Sequence, residues 1–213
     1  MKKIQIACLL LLISLFMGCL STKSVTKEAD PNFLGDFNPI QLENFIAGRY
    51  SMGQLKPLEI EAYFVPRNNN LELYFRDGMN KYALILPYEA RQAIEKAGQQ
   101  YLTTYEEGTL VEEKPTEKNA TQTAQASLSW GVVGLARNGT TKIYTNHEYM
   151  EKDRPYFRIT IKQTTDKEDS SVLSPRVEIY FSPTLLRTFL EATQQEVFLS
   201  QIEQKTQQFS DGF

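Results

Sequence analysis

The sequence predicts an α+β fold: two similar units, each of three to four antiparallel strands followed by a helix, packed as one body. Three observations predict it. Segments such as residues 58–61 and 155–162 alternate apolar and polar side chains with a period of two, the mark of a strand with one face buried. Two strand runs each stop at a proline, Pro87 and Pro183, which opens a stretch with apolar residues three and four apart. The two junctions also align with each other: Arg91 falls on Arg187, Glu95 on Glu191, Gln99 on Gln195 and Glu107 on Glu203. Ile94 falls on Leu190, Tyr101 on Val197 and Leu102 on Phe198, which keeps the apolar register and reads as a duplication.

In chain order, the first element is an address. Met1-Lys2-Lys3 is basic, residues 4–17 are apolar, and Gly18-Cys19 closes the run, which has the parts of a secretory signal. Fourteen residues span about 21 Å as a helix, short of the roughly 30 Å hydrocarbon core, so a permanent membrane span is not expected. Phe16-Met17-Gly18-Cys19 resembles the lipobox of bacterial lipoproteins, with Phe16 where leucine is commonest in that family. The resemblance implies cleavage before Cys19 and lipidation of its thiol with fatty acyl chains such as palmitate. It places the chain in the cell envelope, lipid-anchored to the inner or outer membrane and facing the periplasm or exterior. Two or more chains, at about 0.8 kcal/mol per buried methylene, hold a protein on a bilayer stably.

The organisation read from the rest is a signal peptide at 1–18, a lipid-anchored flexible tether at 19–36, and a first β-rich/α unit at 37–107. A polar linker loop follows at 108–126, then a second β-rich/α unit at 127–204 and a frayed tail at 205–213. Loss of the signal removes Lys2 and Lys3, so the net charge moves from −3 to −3 − 2 = −5. An acidic body without a basic run argues against a nucleic-acid partner. Cys8 leaves with the signal and Cys19 carries the lipid, so the body has neither a disulfide nor a free thiol.

Within the first unit, Asn38 and Pro39 read as cap and first position of a short helix over residues 38–46. Residues 49–52 are a weak strand candidate and residues 58–65 a clear one. The Pro66-Arg67-Asn68-Asn69-Asn70 turn leads to a strand at 71–76, and Asp77-Gly78 turns into another at 82–86. The helix opened by Pro87 has the stripe Ala90, Ile94, Ala97, Tyr101, Tyr105, with Gly98 inviting a bend or break. The second unit offers strands at 128–133, 142–145, 155–162 and 176–181, with a turn at 137–140 and a polar loop at 164–174. Its helix carries Leu186, Phe189 or Leu190, Thr193, Val197 and Ile202. A twice-repeated ββββα order is similar to that of the Whirly and Pur-alpha type of single-stranded nucleic-acid binder. The similarity is one of element order alone, and the acidic charge and export signal argue against its function here.

Chemistry is sparse. His147 is the sole histidine and no Gly-x-Ser-x-Gly elbow, phosphate loop or calcium loop is present, so neither cofactor nor metal is expected. His147 reads as a turn or surface residue. Glu59, Glu61 and Glu72 alternate with leucine and isoleucine as a solvated sheet face does, although a carboxylate pair for glycoside hydrolysis draws on the same residues. Aromatic residues are the remaining signal. Adjacent pairs such as Tyr63-Phe64 and Tyr74-Phe75 must send one ring to each side of a sheet. Tyr63, Tyr74, Trp130, Tyr144 and Tyr156 are therefore the candidate binding surface for a protein or glycan partner. The expected function is a non-enzymatic binding or scaffolding lipoprotein at the membrane surface. The alternatives are a hydrolase acting on envelope polysaccharide or peptide, and a protein that self-associates through an open sheet edge.

Overall fold

The computed structural model describes residues 30–132, 134–150 and 154–211, with side chains through 208. The expected signal, Cys19 and most of the tether lie outside the described residues. The strands are β1 (Ile40–Gln41), β2 (Phe45–Ser51), β3 (Gln54–Val65), β4 (Asn70–Asp77), β5 (Asn80–Leu86), β6 (Gln122–Val132), β7 (Leu135–Met150), β8 (Arg154–Ile161) and β9 (Val177–Phe181). The helices are α1 (Tyr88–Glu106), α2 (Pro183–Ala192) and α3 (Gln195–Asp211). All strand pairings are antiparallel.

Eight strands close into a barrel. From β2 to β9 each strand pairs with the next in sequence, α1 bridging β5 and β6, and β9 returns to β2 through Gly48↔Tyr180. The short β1 adds to β3 through Ile40↔Phe64. Alternation explains the two surfaces. One face of every strand is apolar and buried, and its residues meet in register as Leu73↔Leu84, Leu84↔Leu128 and Ile159↔Ile179. Those side chains fill the barrel. The outward face carries Glu59, Glu61, Glu72, Arg76, Lys81, Lys142, Arg158, Lys162 and Glu178. A membrane-spanning barrel has the opposite arrangement, an apolar band outside and a polar interior.

The helices sit over one end of the barrel. α1 starts where β5 ends and α2 where β9 ends, and the aromatics they meet lie at that same end. Phe198 of α3 stacks on Phe64 at 4.0 Å with the planes 8° apart, and Phe189 of α2 meets Phe45 edge-on at 5.1 Å. Ala90, Ile94, Ala97 and Tyr101 of α1 and Leu186, Phe189 and Leu190 of α2 join the barrel interior in one apolar core.

This architecture corrects the expected α+β arrangement of two similar strand–helix units. A single ring shares its strands between the two sequence halves, so neither half has a sheet of its own. The aligned residues do different work. Arg91 is buried and its Nη2 donates to Asn69 Oδ1 at 2.5 Å and to Gln195 Oε1 at 2.8 Å, whereas Arg187 is only half-buried and pairs with Glu106. Gln195 begins a separate helix, while Gln99 lies inside α1. The repeated unit on which the likeness to Whirly and Pur-alpha proteins rested is therefore not found among the described residues.

Other boundaries shift for local reasons. The expected helix at 38–46 is instead β1, a short connection and the start of β2, because Phe45 and Ala47 point into the barrel and pair with Ile60 and Leu58. The expected turn at 137–140 lies inside β7, paired with residues 127–130, and the hairpin reverses at Gly134 with φ +87° instead. The polar stretch at 108–126 gives its last residues to β6 and ties the rest down along the edge of β7. Helix α1 runs unbroken through Gly98, and the last helix breaks after Ala192 and resumes as α3 through Asp211 where a frayed tail was expected.

Candidate functional site

The barrel wall opens between β3 and β4. The two strands pair from Val65↔Asn70 to Ile60↔Phe75 and no further. β3 continues down to Gln54 against β2, and β4 continues to Asp77 against β5. Pro57, which has no N–H to give a ladder, lies in the stretch of β3 that runs free of β4. Arg49 of β2 forms an ion pair with Asp77 of β4 past this opening.

The parted strands form an open cleft of about 830 Å³, lined largely by outward-facing side chains. Its β3 lip carries Glu59 and Glu61, and its β4–β5 lip carries Arg76 and Lys81, a cross-strand pair. Where the strands rejoin, Tyr63 and Tyr74 stand edge-on at 5.7 Å with planes at 84°. Tyrosine and glutamate alternate there, Tyr63 opposite Glu72 and Tyr74 opposite Glu61. The Tyr74 hydroxyl donates to Glu72 Oε2 at 2.5 Å, and Asn44 Nδ2 donates to Glu59 Oε1 at 2.9 Å. Burial, and then the Glu72 carboxylate accepting the hydroxyl hydrogen, push the Tyr74 phenol up to about 12. The site thus offers neutral aromatic edges, carboxylate acceptors on one side and cationic donors on the other.

Tyr63 and Tyr74 are brought together on this wall. Trp130 is inside the barrel opposite Tyr82 and is 4% exposed. Tyr144 faces outward on β7 but is buried, its oxygen accepting from Arg176 Nη2 at 3.0 Å with the guanidinium over the ring. Tyr156 is half-buried beside Glu148. Sequence reasoning flagged the tyrosines and the glutamates of the slit separately and passed over Arg76 and Lys81. The signal for those two was the Asp77-Gly78 turn, which sets them opposite each other.

Away from the slit, the segment 109–121 runs along the edge of β7 that β6 leaves unpaired. Thr121 N donates to Thr145 O at 2.8 Å, and His147 Nε2 donates to Val111 O at 2.7 Å. Asn146 Nδ2 donates to the carbonyl oxygens of Thr116 and Asn119. His147 therefore holds the strap and lines a smaller cavity of about 220 Å³ beneath it with Tyr101 and Phe157. Beyond it, buried Arg158 pairs with Glu148 at 2.8 Å and Glu178 at 3.4 Å. Among the described residues no group of three or more His, Cys, Asp or Glu is placed to hold a metal ion.

Residues 23–200 match the model of a protein family described as "Uncharacterised Treponema protein". The chain belongs to this family. A relative from Treponema pallidum (strain Nichols), described as "Uncharacterized protein", is 25% identical over 193 residues, which covers 90% of this chain and 68% of the relative. No solved structure matches. The stretch shared with the family takes in every strand of the barrel, α1, α2 and the start of α3, and so includes both lips of the slit.

Proposed function

We propose that this member of the family is a membrane-tethered, non-enzymatic binding domain of the cell envelope, and that the slit between β3 and β4 is its ligand site. The observation that carries the reading is the parting of two adjacent strands to form an open cleft of about 830 Å³, within the roughly 300–1,000 Å³ typical of small-ligand sites. A barrel gains nothing in stability by leaving strand edges unpaired, so a parted wall lined with aromatic and charged groups is suited to a ligand. The tether is supported by the basic start, the apolar run and Cys19.

Two measurements test this. A Cys19→Ser variant should lose labelling by fatty acid and leave the membrane fraction, and retained labelling ends the anchor reading. For the site, the detergent-solubilised full chain is titrated with trialanine, an N-acetylated trisaccharide and spermidine. At least one should bind, and Tyr63→Ala with Tyr74→Ala should remove that binding. Binding that survives both substitutions, or none at all, removes the slit as the site.

The hydrolase reading has one observation in its favour, the placing of Glu59, Glu61 and Glu72 along one cleft. Turnover of a glycan or peptide that Glu→Gln changes at these positions abolish would establish it.

A further inference from the structure

Arg49 and Asp77 close an ion pair past the opening, but Glu59 and Glu61 on one lip do not meet Arg76 and Lys81 on the other. Elsewhere on the same barrel, opposite charges on neighbouring strands close directly, as Arg158 does with Glu148 and Glu178. At the slit the strands have parted, and Glu61, Arg76 and Lys81 have neither an ion pair nor a side-chain hydrogen bond with any described residue. Holding unlike charges apart across a cleft leaves each available to a ligand group of the other sign. An uncharged glycan satisfies neither lip, and a polyamine satisfies the acidic lip while the cationic one repels it. A zwitterion satisfies both.

The strand edges narrow the ligand further. From Glu59 down, β3 makes no ladder with β4 on that side, so main-chain edge lines the opening. A short peptide laid across the gap can also hydrogen-bond this edge through one of its own main-chain groups. We infer that the slit binds a short peptide by its free ends, the α-ammonium on the Glu59 and Glu61 lip and the α-carboxylate on the Arg76 and Lys81 lip. Arg76 suits a carboxylate because its planar guanidinium can donate two parallel hydrogen bonds. The inference rests on the slit being the ligand site proposed above and adds the class of ligand.

The test uses calorimetric titration of the full chain with trialanine, N-acetyl-trialanine, trialanine amide and an N-acetylated trisaccharide, on the native protein and on Glu61→Gln, Arg76→Gln and Tyr74→Ala. Trialanine should bind, and blocking either end should weaken it at least tenfold. Glu61→Gln should weaken trialanine at least fivefold and leave the N-acetylated peptide unchanged. Arg76→Gln should do the same for trialanine against its amide. All three positions are on the outward face, and unchanged thermal melting confirms that each variant is folded. Blocked peptides that bind as well as the free one overturn the inference. So does binding of the trisaccharide in place of trialanine with loss in Tyr74→Ala, which leaves the slit as the site and removes the peptide. Binding of any probe that Tyr74→Ala leaves intact removes both readings.

Discussion

Tyr74 donates its hydroxyl hydrogen to Glu72, two residues back on the outward face of β4, at 2.5 Å. The bond joins the neutral phenol to an acceptor carboxylate where the strands rejoin, and partial burial also disfavours phenolate there. The folded protein therefore holds this proton more tightly than the unfolded chain does. The resulting stabilisation is fully present below about pH 10 and is lost as pH rises through about 12. Removing the carboxylate by Glu72→Gln should bring the Tyr74 titration back toward its ordinary value. The near-ultraviolet difference spectrum against Tyr74→Phe measures it, and an unmoved titration would mean that burial alone sets the shift.

Glu117 works in the other direction. Hydrogen bonds from Lys142 at 2.8 Å and Lys162 at 2.7 Å hold its carboxyl down to about 2. That contribution to the folded state is present above about pH 4.5 and is lost as pH falls through about 2. Below that window the strap should lose a pin on β7 and β8. Glu117→Gln should show the same loosening at neutral pH, read as faster amide hydrogen exchange at Thr121. Protection equal to that of the native chain would assign the hold to Asn146 and His147.

Arg91 is enclosed by the rings of Phe198, Tyr88 and Phe64 at 5.1, 5.4 and 5.5 Å, and it hydrogen-bonds the left-handed turn at Asn69. Desolvation lowers its guanidinium to about 10, so it still carries charge at neutral pH. Arg91→Ala should cost about 3 kcal/mol of unfolding free energy, because it removes the charged hydrogen bonds and the cation–π interactions together. Arg91→Lys should recover only part of this, since an ammonium lacks the planar guanidinium that lies against the three rings. Arg187→Ala, at the aligned position, removes a surface pair and should cost about 0.5 kcal/mol. Equal losses at the two positions would argue for equivalent roles after all.

Gly98 is where α1 meets α2. A Cβ there would lie 2.8 Å from Leu190 Cδ1. Alanine gains about 1 kcal/mol in helix propensity, while overpacking a core costs about 1–3 kcal/mol. Gly98→Ala should therefore destabilise by about 1 kcal/mol, and adding Leu190→Val should recover most of it. Denaturant titration decides the sign, and a stabilised single variant would show that the helices have room to spare.

Much of the strand content was legible because strand residues pointing into the barrel are apolar while many of their neighbours pointing outward are polar. Residues 155–162 announce themselves by alternation, 71–76 and 82–86 by apolar runs between turn signals, and the stripe from Ala90 to Tyr101 gives the buried side of α1. Besides residues 137–140, read as a turn but part of β7, two further strand segments were not legible. Residues 45–48 follow an Asn38-Pro39 pair that mimics a helix start and end at Gly48, so only residues 49–52 read, weakly, as strand. Residues 122–125 are polar or small on both faces and are strand only because Thr145, Tyr144, Ile143 and Lys142 pair with them. Missing the first of these hides the ring, since β2 is the strand that closes it. The slit was half legible. Its tyrosines and glutamates stand out in the sequence, but where β3 stops pairing with β4 depends on register, which no single strand encodes.

The closure through Gly48↔Tyr180 also bears on how the chain acquires its shape. The pair joins the first and last strands of the ring, and the Phe64–Phe198 stack reaches further still toward the C-terminus. A chain emerging from its N-terminal end can form the β3–β4–β5 meander early, because those contacts are local. It cannot seal the wall or seat the end helices until almost every residue has been delivered. Until then β2 and β3 stand exposed with their apolar faces, the condition in which partly folded chains aggregate or meet chaperones. Assembly of this barrel is thus a late event in the life of the nascent chain, governed by residues far from those it protects.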